Sequence, residues 1–525
     1  MNEGRARALV PLIVLGGMGM FAFASILLTE GNTIGELCRY LLAAGFLLSV
    51  VSPRIGFYVW LTLCGYNDLL KRLMIMGGRV NYDDLKFVLG ITPAIFSGVV
   101  VALVFGGLLG SRRLMFRDLV AIAAGCLLMF ATGALAYLKE GTGLNGVLQA
   151  MANNGLYALL LFVLPMMCPT VTDLQRLWRF LVYAFLPVAV YGVVQQIQGF
   201  AEFEVEYLKT GLSIEIKQLV AGEVRAFSTL NSPSALSVVC ACLAVASLFL
   251  GFAPKEKGQS ALLGRPAALV FFSIYFAGLI ASTSRTPILI VPVALLGGWC
   301  FFSKARTRTF YIISVGSFLS LLVASPWLVQ RIDILNGFVS GIADPGSFMG
   351  RMLTVGTYWD RLEGFATVLM NPEAYRLFGW GIDEHGQGRY HFHDPLSEVL
   401  VRFGSLALFG LLTFGAILLM VSHQQAWRLK QEADRRFAAR MIAMSFAIVA
   451  VSLISGSILS VFPNNVLFWL CLAGVAALAR QQAVTAKAPM RRTVYFIPPA
   501  GPPHPNPSQT ASPVRSRMRR TGMKS

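Results

Sequence analysis

The chain has 525 residues, 56% hydrophobic and 13% charged, with a formal net charge of +18. Soluble domains carry about 25% charged residues, so a water-facing globule is excluded. The positive excess does not mark a nucleic-acid binder either. Lys and Arg sit in short loops between apolar runs and in the C-terminal tail, which is the positive-inside pattern of a membrane protein.

The apolar surplus is organised in repeated runs of about 17–25 residues, the length that crosses a hydrocarbon core. The runs lack two-residue alternation, so the spans are expected to be helices rather than barrel strands. Near the N-terminus Ala22-Phe23-Ala24 resembles a signal-peptide cleavage site. The apolar run continues to Leu28, which favours an uncleaved first span. Spans are expected at 9–28, 35–51, 54–66, 86–110, 117–137, 147–168, 177–197, 229–252, 267–283, 286–303, 309–328, 395–422, 438–460 and 463–480. The third is short enough to be re-entrant. The expected fold is all-α, a polytopic helical bundle of about 12–14 transmembrane helices with a large periplasmic loop.

Alternating the loops from an inside N-terminus puts 28 Lys and Arg in inside segments against 14 outside. That asymmetry predicts a multi-pass protein of the bacterial inner membrane with both termini cytoplasmic. The organisation read from this is N-terminal helices over 1–197, a periplasmic loop over 198–228 and core helices over 229–328. A large periplasmic loop over 329–394, C-terminal helices over 395–480 and a basic, Pro-rich cytoplasmic tail over 481–525 follow. The tail, with six prolines between Pro498 and Pro507, reads as disordered and attracted to anionic lipid. The eight cysteines lie in or near apolar runs without a C-x-x-C pair, so neither a disulfide framework nor a thiolate metal site is suggested.

Three outside features carry chemistry. The first is Arg225-Ala-Phe-Ser-Thr-Leu-Asn-Ser-Pro233, before the eighth span. The second is Ser282-Thr-Ser-Arg-Thr-Pro287, between the ninth and tenth spans. The third is the large loop, with Tyr358-Trp-Asp-Arg361, Asn371-Pro372, Phe378-Gly-Trp-Gly381 and Tyr390-His-Phe-His-Asp-Pro-Leu-Ser-Glu398.

The order and common side of these features resemble the O-antigen ligase and O-antigen polymerase superfamily, which includes exopolysaccharide polymerases. The resemblance covers about 225–415 in its motifs. It implies a glycosyltransferase of surface-polysaccharide or lipopolysaccharide assembly. Such proteins move a glycan from an undecaprenyl-diphosphate carrier to an acceptor hydroxyl, and need no cofactor. The implied partners are that lipid-linked glycan, membrane lipid and other proteins of polysaccharide assembly. Arg225, Arg285 and Arg361 match the family's arginines. His393 matches the His of its His-Asn pair, where this chain has Asp394 instead. The implied roles are catalytic for His393 and Arg285, and substrate binding for Arg225, Arg361 and Asp394.

The chemistry agrees with the resemblance. Arg stays charged and grips phosphate bidentately, stabilising the leaving diphosphate. A His near neutral pKa suits removal of a proton from the acceptor. Plainer readings remain open. Arg225 and Arg361 fit interfacial anchors. Asp394-Pro395 fits a helix N-cap followed by proline at the first helical position. His385, His391 and His393 with Asp383 and Asp394 fit a metal site of no standard zinc spacing. The alternative function is a transporter or flippase for a lipid-linked or small anionic substrate.

Overall fold

The computed structural model describes residues 33–75, 85–109, 114–137, 144–209, 225–252, 263–329, 365–371, 373, 376–379, 395–455 and 461–487. Its helices are α1 (Thr33–Val51), α2 (Pro53–Ile75), α3 (Leu85–Leu108), α4 (Phe116–Tyr137), α5 (Leu144–Ala150), α6 (Leu160–Met167), α7 (Val171–Ala184) and α8 (Leu186–Gln198). They continue as α9 (Glu202–Lys209), α10 (Pro233–Gly251), α11 (Arg265–Ala281), α12 (Ile290–Cys300), α13 (Lys304–Val329), α14 (Pro395–Trp427), α15 (Glu432–Ser455) and α16 (Asn464–Lys487). Among the described residues there is no strand. Among the described residues eight helices are long and apolar enough to cross a membrane. The chain is an all-helical, multi-pass membrane protein. The first expected span, 9–28, lies outside the described residues. The described residues up to Ala483 form one compact unit, and those from Val484 to Lys487 belong to a second. The basic, Pro-rich part of that second unit is outside the described residues.

The core is built around α10, the span window with the largest buried share, 83%. Its sequence is rich in Ala, Ser, Val and Cys, and small residues let helix backbones approach closely. Helix α11 runs antiparallel to it. Gly251 near the end of α10 meets Ala268 near the start of α11, and Cys240 meets Gly278. Extending that register sets the residues before Pro233 level with the turn after Ala281.

The connections sort into two ends of the bundle. At one end the last turns of α2 touch α9 and residues 225–230. At the other, Arg480 pairs with Asp118 at 3.0 Å, Arg440 donates to the Phe249 carbonyl at 2.9 Å and Gln482 to the Arg428 carbonyl at 2.9 Å. Segments expected on one side of the membrane thus meet one another, and segments expected on the other side do the same.

Several span boundaries differ from expectation for identifiable reasons. The helix at the third expected span is longer than expected: α2 continues to Ile75. Its polar last turns are stabilised by a Lys71–Asp68 ion pair at 3.1 Å and by tertiary partners of Arg72. The sixth expected span is interrupted, with a π-helical turn at Met151–Gly155 and a 3-10 turn at Leu156–Leu159 between α5 and α6. The seventh is two helices, starting six residues earlier than expected because Thr170 caps α7 through a bond from Asp173 N to its Oγ1. The chain breaks at Phe185, just before Pro187, which has no N–H to give. Near the break the Tyr275 and Tyr66 hydroxyls donate to the Val182 and Ala184 carbonyls at 2.5 and 2.6 Å.

The twelfth expected span also divides. Gly404 has φ 90°, ψ 173° inside α14, so a short first segment carrying the Glu398–Arg402 ion pair precedes a long apolar one. Gly379, with φ 75°, presses backbone to backbone against this break. A Cβ on Gly379 would collide with the Arg402 carbonyl, and one on Gly404 with the Leu377 carbonyl. Ser405 N and Leu406 N donate to the Arg376 and Leu377 carbonyls at 3.0 and 3.2 Å. The described part of the large loop is tied here, and Val368 packs with Leu396, Leu400 and Val401.

Candidate functional site

The Arg225 segment enters the bundle as irregular backbone. Ala226, Phe227, Ser228, Thr229 and Leu230 are buried, and each buried polar group needs a partner at this depth. The structure supplies them from α8 and α2. The Gln195 Oε1 accepts from Phe227 N at 3.2 Å and Ser228 N at 2.6 Å. The Ser228 hydroxyl donates to the Val188 carbonyl at 2.6 Å and the Thr229 hydroxyl to the Gly65 carbonyl at 2.6 Å. Arg72 donates through Nη2 to the Leu230 carbonyl at 2.9 Å. Ser232 then caps α10, accepting from Ala235 N at 3.2 Å, with Pro233 in the first turn.

Behind this segment lies a buried ion pair. Arg72 Nη1 meets Glu204 Oε1 at 3.0 Å, with side chains 1% and 0% exposed. Gln195 Nε2 donates to the same Glu204 oxygen at 2.6 Å, and Ala201 N donates to the other at 3.2 Å. The Arg72 guanidinium also lies 4.6 Å from the centroid of the Phe227 ring, which stacks on Phe200 at 5.0 Å. Burial pushes the Glu204 carboxyl above its ordinary pKa, with the Arg72 charge acting in the opposite direction.

The Arg285 segment is a second irregular piece. After α11, the Ser282 hydroxyl donates to the Leu279 carbonyl at 2.7 Å and accepts from Ser284 N at 3.2 Å. Arg285 is the N-cap residue of a 3-10 turn at Thr286–Leu289. That turn packs on α10 and α15. The Thr283 hydroxyl is buried without a hydrogen-bond partner.

Among the described residues, two non-glycines have positive φ: Ser228 at 55° and Thr283 at 52°. The first stands three residues after Arg225 and the second two before Arg285. Left-handed backbone at such residues stores strain, and such strain clusters at functional sites. Both arginines are half-buried, and the antiparallel register of α10 and α11 brings their segments to one end of the bundle.

Of the five residues singled out from sequence, Arg225 and Arg285 are described; Arg361, His393 and Asp394 lie outside the described residues, as do His385, His391 and Asp383. Helix α14 begins at Pro395, the residue expected at its first position. Arg72, Gln195 and Glu204 were not legible as a unit. Ending the third span at residue 66 left Arg72 in a loop. The available signal was polar side chains at the ends of two apolar helices, Arg72 on α2 and Gln195 on α8, each of which needs a buried partner.

Compared with known proteins, the chain matches no family model and no curated protein sequence. The functional reading therefore stands on the residues themselves.

Proposed function

We propose that this protein is a glycosyltransferase of surface-polysaccharide assembly in the bacterial inner membrane, with both termini cytoplasmic and a large periplasmic loop. It transfers glycan from an undecaprenyl-diphosphate carrier to an acceptor hydroxyl, as an O-antigen or exopolysaccharide polymerase or as a ligase. Arg225 and Arg285 hold the donor diphosphate, Arg361 completes the anionic site, and Asp394 contacts substrate. His393 takes the acceptor proton. The observation that carries this reading is the pairing of two arginine-bearing, strained, irregular segments at one end of the antiparallel helices α10 and α11. A lipid diphosphate has its charge at the bilayer surface, where such an end meets it, and guanidiniums are the side chains best matched to it.

The test is transfer by purified protein in lipid, supplied with undecaprenyl-diphosphate-linked glycan. A polymerase lengthens the lipid-linked glycan without any other acceptor. A ligase transfers it only when a second, glycolipid acceptor is added. Absence of transfer under both conditions, with folded protein, contradicts the reading.

A transporter or flippase for a lipid-linked or small anionic substrate is the second reading. The interruptions at Met151–Leu159, Phe185 and Gly404 favour it, since discontinuous helices line many transport sites. Movement of the lipid-linked glycan across a vesicle bilayer without transfer would support this reading over the first.

A further inference from the structure

We propose that Arg72, Glu204 and Gln195 are positioning residues for Arg225: together they hold the backbone that sets where its guanidinium meets an anionic diphosphate. The inference rests on the proposed function, because it takes Arg225 as a ligand of the donor. Its basis is the direction of the hydrogen bonds. Gln195 fixes two consecutive N–H groups, Phe227 and Ser228, and Arg72 fixes the Leu230 carbonyl. Glu204 ties Gln195 and Arg72 together through one oxygen. Gln195 on α8 and Arg72 on α2 hold the segment after Arg225 directly, and Glu204 on α9 fixes both of them from behind.

A plain stabilising role does not require this arrangement. A buried ion pair is commonly matched or exceeded in stability by apolar residues of similar volume. What apolar residues cannot do is accept two backbone N–H groups and keep Ser228 at φ 55°. Held in this way, the segment presents Arg225 in one geometry before the donor arrives. That spares the binding step the ordering of a loop.

The test is binding of undecaprenyl diphosphate to purified full-length protein in lipid nanodiscs, with thermal unfolding measured on the same samples. Gln195→Met keeps the side-chain volume and removes the acceptor for the two N–H groups. It is expected to weaken binding roughly tenfold, the loss of about one charge-assisted hydrogen bond; the two buried N–H groups left without an acceptor lower the unfolding temperature as well, so binding is compared at a temperature where every variant is folded. Arg225→Ala is expected to weaken binding at least as much. The double variant is expected to bind no worse than Arg225→Ala alone, because Gln195 acts through Arg225. Additive losses in the double variant, or wild-type binding by Gln195→Met, overturn the positioning role. Wild-type binding by Arg225→Ala overturns instead the reading of Arg225 as a donor ligand, and the positioning role with it. If Gln195→Met does not fold, Arg72→Lys replaces it in the same cycle, since Lys keeps the charge but cannot reach Glu204 and the Leu230 carbonyl with one planar fork.

Discussion

Arg72 and Glu204, 132 positions apart in the chain, meet at 3.0 Å where neither side chain is more than 1% exposed. The pair joins the last turn of α2 to the short helix α9, and through the Leu230 carbonyl to the segment before α10. Removing one partner leaves the other charge buried. Arg72→Ala is expected to destabilise the protein by about 3–5 kcal/mol, while replacing both residues with Met is expected to cost far less. Thermal unfolding in detergent, followed by size-exclusion, checks this. Equal losses in the single and double variants would contradict it.

At the opposite end, Arg480 binds Asp118 in a two-point contact, Nε to Oδ1 at 3.0 Å and Nη2 to Oδ2 at 3.1 Å. Asp118 is 4% exposed and also accepts from Met115 N at 2.8 Å. Arg480→Ala is therefore expected to cost about 1–3 kcal/mol. Truncation after Arg492 is expected to leave both stability and glycan assembly intact, because the composition beyond it cannot build a packed core. Loss of assembly in the truncated protein at normal protein levels would contradict that expectation.

The close approach of Gly379 and Gly404 gives a sharp contrast. Gly404→Ala places a Cβ against the Leu377 carbonyl in a backbone with φ 90°, so it is expected to lower stability by about 1–3 kcal/mol. Gly410→Ala, six residues on and with nothing within 4 Å of its Cβ, is expected to be neutral or slightly stabilising. Parallel unfolding curves of the two variants test this. Similar behaviour in both would show that the break at Gly404 is not fixed by its contact with the loop.

Topology is tested by labelling single cysteines introduced at Lys209, Gln387 and Arg428. The native thiols are buried apart from a half-buried Cys126, which keeps the background low. Lys209→Cys and Gln387→Cys are expected to react from the periplasmic side and Arg428→Cys from the cytoplasm. Reaction of either of the first two only from the cytoplasm would separate the loops that the account places on one face.

Much of this arrangement was legible in the sequence because membrane spans leave a coarse signal. Apolar runs gave α1, α3, α4 and α10 to within a few residues, since nothing but length and hydropathy decides them. The reading failed where a tertiary contact decides. The polar end of α2 stays helical because Glu204 and Leu230 await Arg72. The break at Gly404 depends on backbone brought from Leu377, and the carbonyls before the Phe185 break accept from hydroxyls brought by Tyr66 and Tyr275. The arginines of the candidate site were readable from their neighbours in the chain. The side chains that fix the Arg225 backbone were not, because Gln195 and Arg72 become informative only when α2 and α8 are side by side.

The central claim is that Arg285 holds a lipid diphosphate donor while His393 takes the proton of the acceptor hydroxyl. The direct measurement is transfer by purified protein in lipid from undecaprenyl-diphosphate-linked glycan, with and without chelator. Arg285→Ala is expected to abolish detectable transfer. Arg285→Lys should impair it less, because the charge remains while the planar fork is lost. His393→Ala is expected to lower turnover more than donor binding, as loss of a base acts mainly on the transition state. Chelator is expected to change nothing; loss of activity restored by metal would revive the histidine metal-site reading. Full activity in both the Arg285→Ala and His393→Ala proteins would contradict the account.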